Sequence, residues 1–417
     1  MTEREVVLDV PVQPPTDLFL PIPKKFLEEA YRGDDYVVLV GPQHPGSGHM
    51  RLILRIKGDV ILEAIPDPGY VHRCMEKLAE NRLYIQNIPL FERPAIMDTG
   101  NVTLGYVRAI ENALDVEVPE RAKYIRMILA ELSRIGTHLY DAGILAVFLG
   151  HTTGFMWPFA LREPIVEAIT RISGVRVTSS FIIPGGVRRD VPWKTLEFVR
   201  KTTFVLEKRL KSFEKIFIRN PTVIERLKDV GVLSKEEAIK FGVVGPFLRA
   251  SGVEYDVRAV EPYEAYDSVS WEIPISDHGD SYSRFLVRVE EIAQSISIIR
   301  QAVNELRSMP EGNIISEDIL QEYSEVASSD IRGFFFKVFG NLVLPSGEFT
   351  SLTEAARGTL LYSIISDGES NIPYRARVIT PGWYYLKGFM EALRGERLAD
   401  LQAIYGSFGY FPPEADR

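Results

Sequence analysis

Residues able to do chemistry are concentrated in three short segments of this 417-residue chain. The first is Gly41–Arg51, GPQHPGSGHMR, which places His44 and His49, two of only six histidines, among prolines and glycines. Gly and Pro fix an irregular backbone, so both imidazoles belong to a shaped loop where they could hydrogen-bond a polar ligand. The alternative is that either ring merely satisfies buried backbone groups. Metal binding by the pair is disfavoured, because no third ligand type stands nearby. The second segment is Val71–Lys77, VHRCMEK, with His72, Arg73, Glu76 and Lys77 at an expected helix start after Pro68-Gly69. Arg73 there could face an electron-rich group or simply be solvated. The third is Pro89–Gly100, PLFERPAIMDTG. Its prolines and glycine break the helical pattern around Glu92, Arg93 and Asp98, which suits a cleft wall or a plain connector.

Elements must hold these segments in place. Met50–Ile56 and Val60–Ala64 read as a hairpin about Lys57-Gly58-Asp59. Pro119 opens a helix whose Ile125, Ile128, Leu129, Leu132, Ile135 and Leu139 form one apolar stripe. Glu163–Ile172, Thr195–Phe217 and a long segment after Asp280 are expected helices packed as a bundle. Phe334–Leu344, Thr359–Ser366 and Tyr374–Ile379 are expected strands of a small C-terminal sheet. The fold class is α+β: a helical bundle core with small β-sheets near the N- and C-termini. The expected organisation is an extended arm over 1–36, an α+β segment with the hairpin and cavity loop over 37–100, the bundle over 101–310, and a C-terminal α+β segment over 311–417.

Composition bounds the partners. With 57 acidic and 48 basic residues the net charge is −9, so nucleic acid is not an expected partner. There is one cysteine, Cys74, so neither an internal disulfide nor a Cys-ligated cluster can be built from this chain alone. No apolar run reaches the roughly 18–20 residues a membrane span needs. No phosphate-cradling loop, dinucleotide fingerprint, HExxH or GxSxG is present.

The ordered set of segments resembles a known family. GPQHP at 41–45, GYVHRCMEKLAENRLYIQNIP at 69–89, VPERAKYIRMILAELSRIGTHL at 118–139, GGVRRDVP at 185–192 and GPFLRASGVEYDVR at 245–258 carry it. DSYSRFLVRVEEIAQSISIIRQAV at 280–303, ARGTLLYSIISDG at 356–368 and the final Asp416-Arg417 extend it to the last residue. The chain is similar to the D-type (49-kDa) subunit of respiratory complex I, itself related to the large subunit of nickel–iron hydrogenases.

The resemblance implies a hydrogenase-like bundle and a quinone cavity shared with an iron–sulfur partner. The implied partners are that B-type cluster subunit, a C-type subunit and a membrane arm. The implied location is peripheral, on the cytoplasmic face of the membrane. Quinone would be the substrate, with no bound cofactor or metal in this chain and the cluster in the partner. The donor could be NADH, a deazaflavin or ferredoxin.

On the same basis His49 and Asp98 would be catalytic, His49 as hydrogen-bond and proton donor and Asp98 as proton relay or charge partner. His44, His49, Ile96 and Met97 would line the cavity. Arg73, Arg93 and Thr178 would lie near the partner's cluster.

Departures from the pattern matter. The hydrogenase cysteine positions fall on Ala95 and Asp98 and on the tail Gly409–Arg417, which holds no cysteine, so hydrogen activation is not expected. The family's quinone-contacting tyrosine falls on Ile96, which cannot donate a proton. Its loop histidine falls on Gly48, one residue before His49. Competing expectations are therefore a structural or coupling subunit without acceptor chemistry, and a complex that reduces another acceptor such as a sulfur compound.

Overall fold

The computed structural model describes residues 22–33, 35–43, 47–322 and 340–417. The architecture is α+β, with two three-stranded antiparallel sheets and a helical bundle.

The N-terminal sheet has β1 (Asp35–Val40), β2 (Arg51–Lys57) and β3 (Val60–Asp67), in that order. The hairpin about Gly58 is present, and β1 adds a third strand pairing Val38 with Leu54. Gly58 sits at φ +63°, a conformation glycine adopts without strain. Residues 1–21 of the expected extended arm lie outside the described residues. Lys24–Arg32 is not extended but a helix, α1. Phe26 buries one face of it, and Arg55 of β2 pairs with both Glu29 and Asp35. The prolines of the segment stop short of residue 24, so nothing in those nine residues prevents a helix.

The expected helix start at Val71–Lys77 begins later, as α2 (Met75–Ala79). The bundle is built from α3 (Thr99–Leu114), α4 (Glu120–Phe148), α5 (Thr152–Ser173), α6 (Trp193–Phe213) and α7 (Ser281–Ser308). Pro119 precedes α4 as its cap, and the whole expected stripe from Ile125 to Leu139 is buried. Asp280 caps α7, its Oδ1 accepting from the Ser283 N–H at 2.7 Å.

The C-terminal sheet is β4 (Gly347–Ala355), β5 (Gly358–Ser366) and β6 (Arg375–Ile379). Its last two strands fall where expected. Its first does not: Phe334–Phe339 lies outside the described residues, Asn341–Leu344 is not a strand, and β4 begins at Gly347. Helices α8 (Pro381–Ala392), α9 (Leu401–Phe408) and α10 (Pro412–Asp416) close the chain. The tail is clamped onto the second chemical segment. Asp416 accepts from the backbone N–H groups of Gly69 (2.7 Å) and Val71 (2.9 Å), and Arg73 N–H donates to Arg417 O (3.0 Å).

Candidate functional site

A cavity of about 130 Å³ opens where the third chemical segment meets α4, the β4–β5 turn and the C-terminal tail. Arg93 to Met97 form one wall. Tyr140 comes from α4, Arg357 from the turn, and Tyr410 and Pro413 from the tail. The double-proline break gives this wall its irregular path, ending in a short 3₁₀ turn at Ile96–Asp98 that feeds α3. Ile96 keeps 42 % of its surface exposed, so the wall offers an apolar side chain to whatever enters.

Several expected site residues converge here. Arg93, Ile96 and Met97 line the cavity. The exposed His49 ring stands edge-on to Tyr410, centroids 6.0 Å apart, and Tyr410 is edge-on to Tyr140 at 6.4 Å. His49 thus sits one ring away from the cavity, not on its wall. Arg73 is tied to the same wall, its Nη2 donating to Arg93 O at 2.8 Å. Burial and the neighbouring Arg93 charge hold the Arg73 pKa below its usual value. Thr178 lies two residues before Ser180, whose N–H and hydroxyl bond the buried Glu92 carboxylate at 2.6 and 3.0 Å. That contact places the Thr178 loop beside the residue preceding Arg93. His44 lies outside the described residues.

Asp98 points away from the cavity. It is buried, accepting from Ala356 N–H and Asn101 Nδ2, each at 2.6 Å. Burial pushes its carboxyl up to about 6, against the pull of Arg134 and Arg357. It holds the β4–β5 turn through Ala356 and is not among the residues lining the cavity.

The sequence reading missed the charged floor. Arg357 is nearly buried and makes a two-point pair with Asp141, Nε–Oδ2 3.1 Å and Nη2–Oδ1 2.7 Å, while its Nη1 donates to Glu414. Behind it, His138 Nε2 meets Glu291 at 2.8 Å, and Glu291 accepts from Arg249 at 2.5 Å. Arg249 also donates to Glu354 at 2.8 Å. Glu131, Arg134, His138 and Asp141 lie three to four residues apart along α4, so they share one buried face. Four ionisable residues at helical spacing, on a helix whose other positions from Ile128 to Phe148 are mostly apolar, were the available signal. Tyr140, Arg357, Tyr410 and Glu414 carried none, because only the fold brings them together.

Among the described residues, no three His, Cys, Asp or Glu side chains are grouped to hold a metal. The wall offers Ala95, and the adjoining Asp98 is buried and hydrogen-bonded, where a soft metal would need thiolates, so the residues do not fit nickel.

The fold defines a class of protein before it defines a family. It superposes with a TM-score of 0.84 on a chain from the structure of "the membrane-bound sulfane sulfur reductase (MBS), an archaeal respiratory membrane complex". The two are 34 % identical, and the match covers 95 % of this chain and 100 % of that one. The class is thus that of subunits of respiratory membrane complexes. The family model described as "Respiratory-chain NADH dehydrogenase, 49 Kd subunit" matches residues 149–417, and the chain belongs to this family. The D-type subunit of the NADH-quinone oxidoreductase of Chloroherpeton thalassium is 37 % identical, over 91 % of this chain and 87 % of that protein. The mitochondrial NADH-ubiquinone oxidoreductase 49 kDa subunit of Neurospora crassa is also 37 % identical, over 92 % and 80 %.

Proposed function

We propose that this chain forms the electron-acceptor pocket of a complex I-like, ion-translocating oxidoreductase. It would be held peripherally at the membrane by partner subunits; no described helix is long and apolar enough to cross one. The observation that carries the reading is the cavity between Arg93–Met97, Tyr140, Arg357 and Tyr410, beside Arg73. A cluster in the neighbouring subunit would supply electrons singly. In this chain, Arg73 and Arg93 would favour the arrival of negative charge near the wall. A quinone head group would stack against Ile96 and Met97. Its carbonyl oxygens would take hydrogen bonds from the Tyr140 or Tyr410 hydroxyl and from Arg357, donors that strengthen as charge develops. His49, adjacent to Tyr410, would return protons from the exposed side.

A second reading is favoured by a specific observation. The cavity pairs two guanidinium groups with the Met97 thioether and presents isoleucine where a quinone-binding tyrosine is expected. That lining suits an anionic sulfur chain, and the similar solved complex is named for sulfane sulfur reduction.

One experiment separates the readings. The purified complex carrying Ile96→Trp is assayed with a short-chain quinone and with inorganic polysulfide. Filling the cavity should abolish reduction of the true acceptor and leave donor-side reduction of the cluster intact. If both rates match the parent complex, the chain is a coupling subunit without acceptor chemistry.

A further inference from the structure

Glu414 is placed where charge in the cavity would be felt, yet it does not line the cavity. It lies on α10, is 2 % exposed, and shares the guanidinium of Arg357 with Asp141. The two carboxylates differ. Asp141 receives the two-point pair and a 3.4 Å contact from Tyr410 N–H. Glu414 uses only Oε1, and its buried Oε2 has no hydrogen-bond partner among the described residues. A buried, half-satisfied carboxylate is costly while charged and much less so once it carries a proton.

The surroundings are charged on every side. Arg357 reaches Glu414 from the β4–β5 turn, Asp141 from α4 and Asp98 from the 3₁₀ turn before α3. Tyr385 approaches from α8, its hydroxyl buried and also without a partner among the described residues. Arg288 of α7 faces Asp141 from behind, with Nε and Nη2 similarly unpartnered. Counted as ions, Arg357, Arg288, Asp98, Asp141 and Glu414 sum to −1. One proton on Glu414 brings the group to zero.

We infer that Glu414 is the proton-accepting, charge-compensating residue of the pocket, acting through Arg357. When an electron enters the cavity, Glu414 takes a proton from solvent and releases Arg357 to face the reduced acceptor. The proton leaves again with product departure, so the overall reaction remains acceptor plus two electrons plus two protons. Glu414 is a positioning residue, since it touches neither acceptor nor cluster. Burial, opposed by Arg357, already pushes its carboxyl up to about 7, so small changes of charge in the cavity would titrate it. Asp141, by contrast, is held below its usual range despite its burial, by Arg357 and Arg288. The inference rests on reading the cavity as the acceptor site.

The test uses the assembled complex. The parent kcat for acceptor reduction should fall with pH above about 7, approaching tenfold per pH unit for a single required proton. Glu414→Gln, permanently neutral, should remove that step, and Glu414→Asp should restore a shifted one. Redox-difference infrared spectra of the parent should gain a protonated-carboxyl band on reduction, and Glu414→Gln should lack it. An unchanged pH profile in Glu414→Gln would overturn the inference. If that variant fails to assemble, absence of the carboxyl band in the parent overturns it. Ile96→Trp tells the two failures apart. If it blocks reduction while the Glu414 results are negative, the pocket reading stands and the Glu414 role falls; if it has no effect, the pocket reading itself falls.

Discussion

Asp141→Asn isolates the floor of the pocket. Asp141 and Arg357 are both buried and meet through two hydrogen bonds, so the substitution leaves a guanidinium with one carboxylate where it had two. It also strips Arg288 of the carboxylate that most favours its charge. Removing one member of a buried pair strands the other charge and costs about 3–5 kcal/mol. The unfolding entropy of 417 residues, at about 2.1 cal/mol/K each, is about 0.9 kcal/mol/K. The apparent Tm of this chain should therefore drop by about 3–6 °C, read by thermal proteolysis of its band in the purified complex. The double variant Asp141→Asn with Arg357→Met should be less destabilised than the two single variants summed, because it removes both charges together. A single-variant Tm within about 1 °C of the parent would show that the pair is solvated, and the argument for a dry, charged floor would collapse.

Three further perturbations address other contacts. Asp98 is raised from 3.8 to about 6, so it binds its proton more tightly folded than unfolded. Its contribution to stability therefore declines by about 3 kcal/mol as pH rises from about 4 to about 6, then levels off. Asp98→Asn should erase that slope in a comparison of pH-dependent Tm; an identical slope in the variant would mean that Asp98 does not titrate there. Gly48 sits at φ +57° against Tyr405 and Pro412, and a Cβ there would drive into the Tyr405 hydroxyl. Gly48→Ala should cost on the order of 1–3 kcal/mol and displace His49, seen as lowered Tm together with slowed acceptor reduction. Cys74 is exposed beside Arg73. A maleimide should label it in the separated chain and fail to label it in the assembled complex if the cluster-bearing partner covers this face. Equal labelling would move that interface elsewhere.

The legible part of the site was its local part. The segment from Pro89 to Gly100 read as a cleft wall or a connector, because Pro94 falls where a helix would have to continue and interrupts it. The resemblance, not the proline break, singled out Arg93, Ile96 and Met97, and all three line the cavity. The apolar stripe of α4 fixed the core helix, since periodicity reports burial directly. It did not report the ionisable residues that α4 also buries, because a charge in sequence reads as solvent-facing by default. Arg357 and Glu414 are separated from Asp141 by more than two hundred residues, and no local pattern encodes such a meeting. The extended reading of Lys24–Arg32 failed for the opposite reason: neighbouring prolines were given weight over a segment that contains none.

The most direct measurement is a structure of the assembled, membrane-bound complex with a tight-binding acceptor analogue. Its density should lie between Ile96, Tyr140, Arg357 and Tyr410, with the partner's cluster on the Arg73–Arg93 side. An analogue bound elsewhere, with this cavity filled by side chains of a neighbouring subunit, would contradict the assignment of the acceptor pocket to this chain.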